Sequence, residues 1–342
     1  MTGLRAALSR FSKVQLGHHP TPLEPLQNLQ KEFPGRKLWV KRDDCNGLAF
    51  GGNKVRQLEY YLGEAQTQKA DCILITGAVQ SNFVRLAAAG ANKLGMACHI
   101  QLEKRVAKDN LAYNTSGNVL LDHMLGAKIY HFDHGEDEAG ADNRLHEIAE
   151  NLQAEGKRPY VIHLAPGHRP LGALGYVEAA DEIIAQAASQ NVRFDHIVVP
   201  SGSGNTHGGL LFGLRALGDQ TPVAGICVRR DAVSQKLRIT DRVCELADML
   251  AVENPVSDAD IQLSDEFLHP AYGQLNKATG QAIDKAAKTE ALILDPVYSG
   301  KTMAGFLSLA GKSPNASNLL FWHTGGAPAV FAYGDDLHDQ AM

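Results

Sequence analysis

Cysteine is scarce in this chain and nowhere arranged for structural work. The five residues at 45, 72, 98, 227 and 244 are an odd number without a CxxC pair, which excludes a disulfide framework and a zinc knuckle and points to a reducing compartment. Basic excess is missing as well: 33 Lys and Arg stand against 38 Asp and Glu, a formal charge of −5, so nothing resembles the footprint of a nucleic-acid or acidic-membrane binder. No stretch approaches the roughly 20 apolar residues of a membrane span, and the opening MTGLRAALSRFSKVQLGHHP lacks a signal-peptide core. A cytoplasmic protein with a small-molecule partner is expected, and the glycosylation-type matches at Asn114 and Asn315 are then chance. No GxSxG elbow provides a hydrolase nucleophile. HFDHGEDE, His131 to Glu138, has metal-ligand residue types but no metal-ligand spacing; it reads as a solvated acidic loop, and no metal is expected.

What the chain does have is length and alternation. At 342 residues and 44% apolar composition it can bury a core large enough for two domains with a cleft between them. Short β-rich runs alternate with helical patterns. The runs are Lys37 to Lys41, Cys72 to Thr76, Cys98 to Leu102, Lys128 to Phe132, Tyr160 to Leu164, His196 to Pro200, Val223 to Val228, Leu292 to Leu294 and Leu319 to His323. Helices are expected over 54–68, 82–94, 116–125, 139–155, 171–188 and 206–217. This is an α/β grammar of parallel sheets, whose ligand crevices open at the carboxyl ends of strands. The turn PGHRPLG, Pro166 to Gly172, marks a boundary, giving one unit of 1–54 plus 166–342 and a smaller unit of 55–165.

The polar turns sit at those strand ends. In AFGGNKVRQLEYY, Lys54 stands at a Gly-rich helix entrance, where its charge opposes the helix dipole at a cost of a few tenths of a kcal/mol and its pKa is depressed toward the free amine. Such a lysine mounts an aldehyde cofactor as a Schiff base. Gln80, Ser81 and Asn82 open the next helix, where Ser or Asn is commonly a cap but also leaves N–H groups for a carboxylate. SGSGNTHGG, from Ser201 through Gly202, Ser203, Gly204, Asn205 and Thr206, reads as a phosphate cup at a helix N-terminus. A rival reading takes the same glycines with Arg229-Arg230 as an NADP site, although the spacing departs from GxGxxG.

In order along the chain, TPLEPL, VKRDDCNGLAFGGNKVRQLEY, GAVQSN, NVLLDHMLGA, LGALGYVEAADEI, SGSGNTHGGL, LDPVYSGKTMAG and HTGGAPAVFAY resemble the pyridoxal-phosphate enzymes that group 1-aminocyclopropane-1-carboxylate deaminase with D-cysteine desulfhydrase, of the tryptophan-synthase-β-like fold type II. The resemblance implies two open parallel-sheet α/β domains with pyridoxal 5′-phosphate in the cleft, and a homodimer. It implies that Lys54 is the Schiff-base lysine and proton shuttle, that Asn82 contacts the ring hydroxyl, and that Ser201 to Thr206 hold the phosphate. Ser81 and its neighbours Gln80 and Asn82 receive the substrate carboxylate, Tyr272 and Tyr298 line the substrate face, and Thr324 lies by the pyridine nitrogen. Ser299 and Thr324, where the deaminases carry Glu and Leu, favour β-elimination with D-cysteine as the expected substrate, giving pyruvate, ammonia and sulfide.

Two departures bear on specificity. Phe83 stands where the related desulfhydrases have His, and His168-Arg169 replace an SN pair, bringing cations to a turn expected beside the cofactor. An added guanidinium there keeps an acidic β-substituted alanine such as L-cysteate open. A non-catalytic cofactor-binding protein is the remaining alternative.

Overall fold

The computed structural model describes residues 2–164, 167–312 and 318–341. Asn315 and Pro166 lie outside them. Among the described residues ten strands form two sheets: β1 (Leu23–Pro25), β2 (Lys37–Arg42), β3 (Cys72–Ala78), β4 (Ala97–Glu103), β5 (Lys128–Phe132), β6 (Pro159–Ile162), β7 (His196–Ser201), β8 (Val223–Cys227), β9 (Gln262–Ser264) and β10 (Asn318–His323). The larger sheet has the order β1-β2-β10-β7-β8-β9 and the smaller one β5-β4-β3-β6. Every pairing is parallel except that of β1 with β2.

Continuous apolar strands are what parallel sheets covered on both faces require. In β3 the period of two sends Ile73 and Ile75 into the main core and Cys72 and Leu74 into a second cluster with Leu145 and Ile148 of the helix Glu138–Ala154. β10 does the same, with Leu320 and Trp322 on one face and Leu319 and Phe321 on the other. Leu292 to Leu294, expected as a strand, is not one: Leu292 and Leu294 are buried, but the run pairs with no strand among the described residues and leads into the turn at Asp295. The three-residue strands β1 and β9 gave no pattern long enough to read.

A buried carboxylate ties these elements together. Asp43, after β2, accepts hydrogen bonds from Thr21 Oγ1 (2.9 Å), Arg56 NH2 (2.9 Å), Tyr176 OH (2.5 Å) and Trp322 Nε1 (2.8 Å). Burial alone would raise its pKa, but the Arg56 charge and its hydrogen bonds overturn this and hold Asp43 well below the usual carboxylate range. Among the described residues no helix is long and apolar enough to cross a membrane.

Candidate active site

Lys54 is the first residue of the helix Lys54–Thr67, and the backbone in front of it runs through four consecutive positive φ angles: Ala49 (39°), Phe50 (70°), Gly51 (62°) and Gly52 (126°). Left-handed backbone at Ala and Phe is costly and persists only where the surroundings over-determine it. They do so here. A Cβ on Gly52 would lie 2.9 Å from Thr324 O, and one on Gly325 (φ 85°) would lie 2.7 Å from Gly52 Cα. Asn53 N donates to Thr324 O (3.0 Å), so the turn after β10 is stitched to the entrance of the Lys54 helix.

The side chain of Lys54 projects into a cleft of about 840 Å³ of empty space, lined by the carboxyl ends of both sheets. Among the described residues its Nζ meets no acceptor or carboxylate; its recorded neighbour is the Phe83 ring, with the centroid 5.4 Å away. Desolvation without a counter-charge lowers its pKa to about 8.

The smaller sheet contributes Ser81, Asn82 and Phe83 to the cleft. Ser81 caps the helix Asn82–Lys93, its Oγ accepting from Phe83 N (3.2 Å) and Val84 N (3.5 Å), and Asn118 Nδ2 donates to Asn82 Oδ1 (3.1 Å), which fixes how that amide faces. Gln80 does not line the cleft. Its amide spans Tyr113 O (2.6 Å), Ser116 O (3.0 Å) and Asn118 N (2.9 Å) from behind, where it anchors the turn.

From the larger sheet come Gly202, Ser203, Tyr272, Tyr298 and Thr324. The helix Asn205–Ala216 starts after Gly204 (φ 96°), and among the described residues no protein acceptor meets the N–H groups of Gly204, Asn205 and Thr206. Asn205 Oδ1 is buried without a partner. Ser201 and Thr206 turn away from the cleft: Ser201 Oγ pairs with His207 Nδ1 and Gln235 Nε2 at 3.0 Å each, and Thr206 Oγ1 accepts from Asn53 Nδ2 (2.8 Å) and Gln57 Nε2 (3.1 Å). Tyr272 and Tyr298 share a 2.7 Å hydroxyl–hydroxyl bond, and burial raises the pKa of both. Lys301 holds the loop that carries Tyr272 by donating to Leu268 O (2.7 Å) and Ala271 O (3.0 Å).

Three candidate positions are placed elsewhere. Ser299 is buried in a closed ring with Asp295, donating to Oδ1 (2.6 Å) and accepting from Asp295 N (2.8 Å). His168 stacks on His163 with centroids 3.7 Å apart and bonds Asp142 (2.6 Å); Arg169 is exposed and pairs with Glu64 (2.8 Å). Both line a separate pocket with Tyr160 and His163. Besides Lys54, the basic residues that line the cleft are Arg105, Arg229, Arg230 and Arg238, around Glu138. Glu138 closes the loop read from sequence as solvated acid; instead it meets Arg229 (2.8 Å), Arg230 (2.6 Å) and Arg238 (3.0 Å). The signal available was the position of EKR and VRR at the carboxyl ends of β4 and β8.

The model of the family described as pyridoxal-phosphate dependent enzyme matches residues 14–325. The chain belongs to that family. It is 42% identical to a D-cysteine desulfhydrase of Yersinia enterocolitica over 332 residues, 96% of this chain and 98% of the relative. It is 38% identical to a 1-aminocyclopropane-1-carboxylate deaminase of Methylobacterium nodulans, again over 96% and 98%. A crystal structure of an ACC deaminase homologue superposes with a TM-score of 0.89 at 37% identity, covering 99% of each chain. The cofactor is therefore pyridoxal phosphate, which sets NADP aside; Arg229 and Arg230 pair with Glu138. The site fits the cofactor, because the unpartnered Lys54 amine shares the cleft with Gly202 and Ser203, which lead directly into the unmatched N–H donors at the helix N-terminus.

Proposed function

We propose that this member of the family removes a β-substituent and ammonia from a small amino acid, with D-cysteine the substrate to test first and pyruvate, ammonia and sulfide its products. When bound, pyridoxal phosphate supplies a ring that takes up the electron pair left at the substrate α-carbon. The observation that carries the reading is the partnerless Nζ of Lys54, in a chain 42% identical to a D-cysteine desulfhydrase.

In this reading Lys54 holds the cofactor at Nζ and, once released from it, takes the substrate α-proton. The N–H groups of Gly204, Asn205 and Thr206 bind phosphate, Asn82 orients the ring, and Ser81 receives the substrate carboxylate. Tyr272 and Tyr298 hold a proton between their oxygens beside the leaving group. Thr324 presents a hydroxyl rather than a carboxylate toward the ring. The carboxylate that does line the cleft, Glu138, is committed to three arginines, which favours elimination over opening an unactivated ring. The units 1–54 plus 166–342 and 55–165, and a homodimer in the cytoplasm, belong to the same proposal.

The test incubates holo-protein with D- and L-cysteine, D-serine, 3-chloro-D-alanine and aminocyclopropane carboxylate and measures keto acid. Pyruvate from D-cysteine supports the reading. Cofactor binding with no keto acid from any member overturns it in favour of a non-catalytic binder, and 2-oxobutyrate from the cyclopropane alone overturns it in favour of ring opening.

A further inference from the structure

Four guanidinium groups meet on the cleft that holds Lys54, and they come from separate places in the chain. Arg105 follows β4, Arg229 and Arg230 follow β8, and Arg238 lies in the helix Ala232–Leu250. Too few carboxylates face them. Glu138 serves three at once, and Arg105 is paired with buried Glu103 (2.7 Å). Glu136, 75% exposed, lies 3.5 Å from Arg229 at the rim, and Asp142, in the adjoining pocket with Arg105, is taken up by His163 and His168.

The imbalance leaves marks on the side chains themselves. Arg238 is 91% buried, and among the described residues its NH1 has no hydrogen-bond partner, which is rare for a buried donor. Burial and the neighbouring charges of Arg238 and Arg229 push Arg230 down to about 10, a repulsion that Glu138 only partly offsets. Burial would raise Glu138, yet Arg229, Arg230 and Arg238 together hold it below the usual carboxylate range. Like charges gathered in a recess destabilise the protein unless an anion completes the set.

We infer that Arg105, Arg229, Arg230 and Arg238 form a subsite for a second anionic group on the substrate, an oxyanion such as a sulfonate carried on the β-carbon. This rests on the elimination proposed above and names its substrate class. Guanidinium forks pair with the planar O–X–O edges of such groups through parallel N–H bonds, which a thiol does not offer. The geometry also serves the leaving group. The α-proton departs to a base, its C–H pair becomes the Cα–Cβ double bond, and the Cβ–S bond breaks with its pair on sulfur, so negative charge grows where the arginines lie. One amino sulfonate monoanion and one water give pyruvate, ammonium and hydrogensulfite.

The test measures kcat/KM of holoenzyme for both enantiomers of cysteate and O-phosphoserine beside D-cysteine and 3-chloro-D-alanine, in wild type, Arg230→Gln and Arg105→Gln. In each variant the ratio of kcat/KM for the preferred oxyanionic substrate to that for 3-chloro-D-alanine is expected to fall at least ~10-fold, chiefly through KM, as for loss of a charge-assisted contact. A second readout needs no turnover: 3-sulfopropionate raises the Tm of wild-type holo-protein more than propionate does, and Arg230→Gln abolishes the difference. That shift without keto acid from any substrate supports the subsite while sinking the proposed elimination. D-Cysteine turnover with neither the shift nor any oxyanionic turnover overturns the subsite and leaves the elimination standing. Equal losses on all substrates, together with weakened retention of pyridoxal phosphate, assign the arginines to the cofactor phosphate and also overturn it.

Discussion

Lys54 gives up its proton more readily than an exposed lysine because the charge loses its water and receives no carboxylate in exchange. With the pKa lowered to about 8 from 10.5, the free-amine fraction rises steeply between pH 7 and 9 rather than above 10. Capture of added pyridoxal phosphate by apoprotein should follow that fraction, increasing with pH and reaching half its maximum near 8; a midpoint near that of free lysine counts against the site. The same residue was legible in the sequence because a cation at a helix entrance contradicts the dipole, and Asn82 and Ser203 because polar turns after strands face the crevice. Direction was not legible. Gln80, Ser201 and Ser299 have the right chemistry at the right turns, yet each is consumed by backbone or neighbouring side chains. Arg105, Glu138 and Arg238 were missed because each in isolation resembles solvated charge, and only their convergence from three segments distinguishes them.

Between residue and fold, the element that fixes the site is the contact of two glycine turns. Gly325 at φ 85°, with Gly52 Cα 2.7 Å from where a Cβ would sit, leaves no room for a side chain. Gly325→Ala is expected to cost about 1–3 kcal/mol, the usual range for forced left-handed backbone, and to displace Thr324 and the Lys54 entrance together. Urea unfolding and cofactor titration check the two effects, and an unaltered midpoint with unaltered affinity would refute the close approach. Strand boundaries were readable to within a few residues wherever both faces are buried, as in β3 and β10. The apolar run at Leu292 misled because burial without a neighbouring strand looks the same in sequence. Three-residue edges such as β1 and β9 carry too few positions for any period to show.

At the scale of the whole molecule, Asp43 is the junction. Its partners Thr21, Arg56, Tyr176 and Trp322 are drawn from four parts of the chain, one of them the helix that begins at Lys54. Asp43→Asn removes one of the two carboxylates that pair with Arg56, leaving Glu182 (2.9 Å), and is expected to cost about 3 kcal/mol, the low end for breaking a buried ion pair. The pH dependence has a definite sign. A carboxylate held below its unfolded value of about 4 contributes stability that is complete above that pH and lost as pH falls toward the folded value. The wild-type protein should therefore lose stability on acidification below pH 4 to 5 more steeply than Asp43→Asn, as measured by denaturant midpoints across pH; parallel curves would show that Asp43 is not the group responsible.

The order β1-β2-β10-β7-β8-β9 puts the last described strand between the second and the seventh. Every other described strand has left the ribosome before β10 is free to join β2 to β7. Until then β7 to β9 have no edge on which to dock β2, and Thr324 is not yet beside the Lys54 helix. Capture of the coenzyme at Lys54 is thus expected only after β10 has docked, so that it reports completion of the larger sheet.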